Sequence, residues 1–137
     1  MIQFYLLAVI MNILGGIFMA APMLQEKVPV LQSLQEALKI NIASRIILII
    51  LSLVVGIFKL LSVTRGDVAV VGDLLPAIGL LVMAVVFFLD YYTEQSEVRS
   101  SFIESLQKIF IRNKSAIGIG LIIIGLLHFL FPGVLFL

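Results

Sequence analysis

The sequence predicts an all-α integral membrane protein, a bundle of four spanning helices, on three observations. The 137 residues are 62% hydrophobic and only 12% charged, about half the charged fraction of a soluble domain. Mean hydropathy is +1.25. No charged side chain occurs before Glu26 or after Lys114. Strict apolar–polar alternation is absent, so helices rather than barrel strands are expected. This composition argues against a water-soluble enzyme, a nucleic-acid binder and a disordered tail. Net charge is +1 and cysteine is absent, so neither a long-range field nor thiol chemistry is available.

Roughly 20 apolar residues cross the ~30 Å hydrocarbon layer. Four segments qualify: Ile2 to Leu24, Ile42 to Val63, Leu74 to Tyr91 and Ala116 to Leu137. The first has no basic start and outruns a signal core of ~7–15 residues, so it reads as a span rather than a cleavable signal. The second reaches full length if Arg45 and Lys59 snorkel, their stems along the core edge and their heads in water. The third opens with Asp73-Leu-Leu-Pro76, where Asp73 can cap the first-turn amides and Pro sacrifices no hydrogen bond. The fourth contains His128 and meets Pro132-Gly133, which kinks or ends it.

Lysine and arginine placement orients the chain. Lys27, Lys39, Arg45, Arg99, Lys108, Arg112 and Lys114 lie in the first and third connections; only Lys59 and Arg65 lie in the second. The first and third connections are therefore expected in the cytoplasm of a cell with a plasma or inner membrane, with both termini outside. In the first connection Leu31, Leu34, Leu38 and Ile42 recur at helical spacing opposite Gln32, Gln35, Glu36 and Lys39. In the third, Phe102, Ile103, Leu106, Ile109 and Phe110 oppose Glu104, Gln107, Lys108 and Arg112. Ser101 and Glu104 have capping-box spacing. Each segment reads either as an amphipathic helix on the membrane surface or as an extension of the next span. Arg65-Gly66-Asp67 in the second connection is given no adhesive meaning.

The order span, amphipathic segment, span occurs twice. A shift of 72 residues superimposes Ser33-Leu34-Gln35 on Ser105-Leu106-Gln107, Asn41 on Asn113, Ile47 on Ile119 and Ile50 on Ile122. The chain therefore reads as one domain with two parallel repeat halves, 1–65 and 66–137.

Intramembrane polar groups are costly and face protein or water. Asn12, Ser52 and His128 are the candidate binding positions. Asn12 shares a face with Gly15 and Gly16, a seam for close packing or a polar site. Gly56 in the second span and Gly118 and Gly125 in the fourth mark further packing faces. His128 either bonds a neighbouring carbonyl or relays protons; with no carboxylate deep in a span to partner it, the relay reading is the weaker. The second and third spans run antiparallel, which sets Arg45 near Asp90 and Lys59 near Asp73. These four either form interhelical ion pairs or sit among headgroups.

No catalytic residues are expected, because His128 is the sole candidate base beside a hydroxyl and no paired carboxylates sit in an apolar pocket. No metal site, cofactor or phosphate-cradling glycine motif is expected.

Arg45 to Leu61, RIILIILSLVVGIFKLL, resembles the first span of DoxX-like small four-helix membrane proteins. Ile119 to Gly133, IGLIIIGLLHFLFPG, resembles the same kind of segment. The resemblance rests on an Arg, a Gly and a Lys or His amid aliphatics, and implies a four-helix membrane fold without a function.

The leading functional expectation is a non-catalytic accessory or scaffold subunit that packs with other membrane chains or with copies of itself through its glycine faces. The alternative is a small oligomeric transporter or channel with a polar path near Asn12, Ser52 and His128. The lipid bilayer is the expected partner in either case, and nucleic acid is not.

Overall fold

The computed structural model describes residues 2–24, 27–33, 36, 41–61, 73–97 and 100–131. Among these every regular element is helical: α1 (Ile2–Leu24), α2 (Ile42–Leu61), α3 (Leu74–Gln95), α4 (Ser101–Phe110) and α5 (Lys114–Leu130). Three helices, α1 to α3, are long and apolar enough to cross a membrane. The fourth expected crossing is not one straight helix: α4 and α5 pass the same test only together, bent by 57° at the intervening turn. By itself α5 has 17 residues, about 25 Å at 1.5 Å per residue.

The narrow buried stripes follow from helical spacing. On α2 only Ser52, Val55, Gly56 and Lys59 are buried, and on α5 only Gly118, Leu121, Gly125 and His128. Leu6, Ile10 and Leu14 on α1 and Ile46, Ile50, Leu53 and Ile57 on α2 point outward, as apolar side chains do where lipid is the solvent. Helix α1 packs most extensively against α5, and α2 against α3; α1 and α3 join the two pairs. Neighbours within each pair run antiparallel, because Tyr5 near the start of α1 bonds the end of α5, and Lys59 at the end of α2 meets Asp73 at the start of α3.

The expected packing glycines lie at close approaches within this chain. A Cβ on Gly118 would stand 2.6 Å from Ala20 N and Gly16 O, and one on Gly16 2.6 Å from Gly118 O. Only hydrogen fits between those backbones. Gly125 lies against Ile13 and Asn12, Gly15 against Met83, and Gly56 against Leu81 and Ala77. Ala8, Met11, Met19, Val55, Leu80, Met83, Val86 and Leu121 fill the centre.

Several local expectations are corrected. α3 runs to Gln95, a turn beyond Tyr91, which brings Glu94 onto the face of Asp90. The α4 cap is Ser100, whose Oγ accepts from Ile103 N at 3.3 Å; Ser101 is already helical and its carbonyl accepts from Ser105 Oγ at 2.9 Å, so the Ser101–Glu104 box does not form. Asp73 precedes α3 but makes no side-chain capping bond, because its carboxylate turns to two other helices. Residues 34, 35 and 37–40 of the first amphipathic segment, Arg65-Gly66-Asp67 and Pro132-Gly133 lie outside the described residues.

Candidate functional site

One end of the bundle gathers polar side chains from all four long helices. Lys59 Nζ lies 2.8 Å from Asp73 Oδ2. His128 Nε2 lies 3.5 Å from the other oxygen, Asp73 Oδ1. The Tyr5 hydroxyl donates to the His128 carbonyl at 2.6 Å and lies 3.3 Å from that of Phe129. Its ring packs against the imidazole at a 55° tilt, with centroids 4.6 Å apart. Lys59 Nζ sits 5.3 Å from the centre of the same ring, within cation–π range. The Lys59, Asp73 and His128 side chains are 1%, 6% and 0% exposed.

Helix ends explain the gathering. Lys59 is in the last turn of α2 and His128 in the last turn of α5, where the helix dipole favours positive charge. Asp73 stands just before α3, where it favours negative charge. The final carbonyls of α5 have no intrahelical donors, and Tyr5 supplies one. Burial of three ionisable groups is tolerated because each faces an opposite or polar group. Chemically, a carboxylate shared by an ammonium and an imidazole can bind a proton, pass it between oxygen and nitrogen, or exchange one cation for another.

This corrects the expectation that His128 has no carboxylate partner in the membrane. Asp73 is separated from it in sequence by all of α3 and α4 and most of α5, and the packing of the helices closes the distance. Tyr5 was not among the expected site residues; its place seven residues before Asn12 on the same face of α1 was the available signal.

Asn12 and Ser52 do not join this cluster. Each lies seven residues along its helix from a cluster member, about 10 Å deeper, and each is fully buried. Asn12 Nδ2 donates to Ala8 O at 2.9 Å and Pro76 O at 3.2 Å, while its Oδ1 is buried without a hydrogen-bond partner. Ser52 Oγ donates to Leu48 O of its own helix. The three expected path residues are thus separate, Asn12 and Ser52 being walled by the apolar core.

At the other end, Arg45 does not pair with Asp90. Arg45 grips Glu94, through Nη1 to Oε2 and through Nη2 to Oε1 at 3.0 Å. Asp90 is taken by Lys114. The longer α3 allows this: Glu94 lies one turn past Asp90 and reaches α2, leaving Asp90 for the start of α5. Gln107 Nε2 donates to Thr93 Oγ1 at 2.6 Å and ties α4 to α3. From Arg45 to Lys59 the rise is about 21 Å, less than the ~30 Å hydrocarbon layer.

Among the described residues no group of three or more His, Cys, Asp or Glu is placed to hold a metal ion. No curated protein and no solved structure matches this chain. A family model matches residues 1–128, and the chain belongs to that family, whose function is uncharacterised.

Proposed function

We propose that the protein is a four-span membrane protein whose Lys59–Asp73–His128 cluster binds and releases protons, serving a small carrier. The observation that carries this is the convergence of three ionisable side chains from separate helices, all buried. Intramembrane ionisable groups commonly belong to ion pathways and proton relays. The distribution of lysine and arginine favours a cytoplasmic Arg45–Glu94 end and a cluster toward the outer face. On this reading α5 is the fourth crossing and α4, set off from it by the 57° bend, lies at the cytoplasmic boundary.

The apolar plug of Met11, Met19, Leu80 and Met83 stands between the two ends. A carrier has to open it, and flexible methionines repack more easily than branched side chains. The two main packings, α1 with α5 and α2 with α3, exchange places when the first two long helices are matched to the last two. That relation supports two repeat halves, as small carriers have.

The test is a pH jump applied to proteoliposomes on a solid-supported membrane. Wild-type protein should give a transient current from proton uptake, absent in Asp73→Asn and restored at a shifted pH in Asp73→Glu. No current from wild type, or the same current from Asp73→Asn, overturns the reading.

A second reading, the non-catalytic subunit, is favoured by α2. Only 22% of its apolar window is buried inside the chain, against 50% for α1 and 44% for α3. Its outer face of Ile46, Ile50, Leu53 and Ile57 is open to lipid or to another helix. The glycine faces no longer argue for partners, since they are used within the chain. A stoichiometric companion chain retained through mild-detergent purification would favour this reading.

A further inference from the structure

The Arg45–Glu94 end carries an open pocket of ≈ 370 Å³ between the end of α3 and α4 with its following turn. Asp90, Thr93 and Glu94 line it from α3; Gln107, Lys108 and Arg112 line it from the other side. Its charges are not balanced. Asp90 is engaged by Lys114 and Glu94 by Arg45, so each carboxylate already has its cation. Among the described residues Lys108 and Arg112 enter no ion pair. Both are exposed and lie four residues apart, so the pocket keeps two cations beside the polar Thr93 and Gln107.

The depth of the pocket selects the ligand. α2 and α5 begin at this end, so the pocket stands at the level of lipid headgroups. α4 presents Phe102 and Ile109, seven residues apart on one face, at 68% and 58% exposure. Large apolar side chains so placed on a short amphipathic helix suit the boundary between headgroups and acyl chains. Basic pockets between helices on the cytoplasmic side take anionic headgroups. We propose that this pocket binds the phosphate of an anionic phospholipid, held by Lys108 and Arg112. The inference rests on the membrane placement and cytoplasmic orientation proposed above, and not on proton binding at Asp73.

The test titrates the full chain, in neutral detergent, with phosphatidylglycerol, phosphatidylcholine or inorganic phosphate, and reads bound adducts by native mass spectrometry. Wild type should bind phosphatidylglycerol in preference to phosphatidylcholine. The double variant Lys108→Gln/Arg112→Gln should bind it roughly thirtyfold more weakly, the effect of losing two membrane-surface cations. Lys27→Gln, which removes an exposed cation elsewhere, should bind like wild type. Equal binding of the two lipids by wild type, or an unchanged affinity in the double variant, overturns the proposal. Displacement of phosphatidylglycerol by inorganic phosphate would assign the pocket to a free anion and overturn the lipid assignment. Both substituted side chains are exposed, and a monodisperse elution profile verifies that the variants remain folded.

Discussion

Lys59 and Asp73 form a buried ion pair, 2.8 Å from nitrogen to oxygen, that joins the end of α2 to the start of α3. Removing one member strands the other in an apolar setting, at roughly 3–5 kcal/mol. Lys59→Met and Asp73→Asn should each lower the unfolding temperature in detergent, and the double variant should recover most of the loss. The exchanged pair Lys59→Asp/Asp73→Lys should be more stable than either single reversal. A thermal-melt series that finds no coupling between the two positions removes the pairing claim.

Arg45 and Glu94 form the contrasting case. Glu94 is 48% exposed, and ion pairs open to water contribute about 0–1 kcal/mol. Glu94→Gln should therefore shift the melting temperature far less than Asp73→Asn, and its small effect should shrink further in high salt.

Gly118 predicts a steric result. The added methyl of Gly118→Ala meets the α1 backbone, which cannot swing aside like a side chain, so a loss of about 1–3 kcal/mol is expected. Gly120 has nothing within 4 Å of its would-be Cβ, and Gly120→Ala should leave the melting temperature unchanged or raise it slightly. Equal losses at both positions would argue against the α1–α5 contact.

Asn12 gives a functional discrimination. Its bond to Pro76 O crosses from α1 to α3, and such intramembrane bonds average about 0.6 kcal/mol. Asn12→Ala should cost under about 1 kcal/mol and leave the pH-jump current intact, because the amide lies below the Asp73 cluster and outside it. Loss of the current with retained stability would restore Asn12 to a solute path.

Much of this architecture could be read from the chain before any coordinates. Hydropathy located α1, α2 and α3, and antiparallel neighbours set Lys59 opposite Asp73. What escaped depended on distances that helical spacing does not encode. A third span that ends at Tyr91 leaves Glu94 off the helix; four more residues of helix carry it to Arg45. His128 looked isolated because its carboxylate belongs to a helix start two elements away. Tyr5 escaped because its hydroxyl serves backbone carbonyls of α5, which no residue pattern marks. The glycines were legible as sites of close approach, but their partners were the chain's own helices.

The short rise between the Arg45 and Lys59 tiers has a consequence for the surrounding lipid. Two sets of charged groups about 21 Å apart stand closer than the ~30 Å hydrocarbon layer is thick, so a bilayer spanned by these helices has to thin around them. Membranes with short acyl chains meet that demand with the least deformation, and the molecule should concentrate in the thinnest regions available to it.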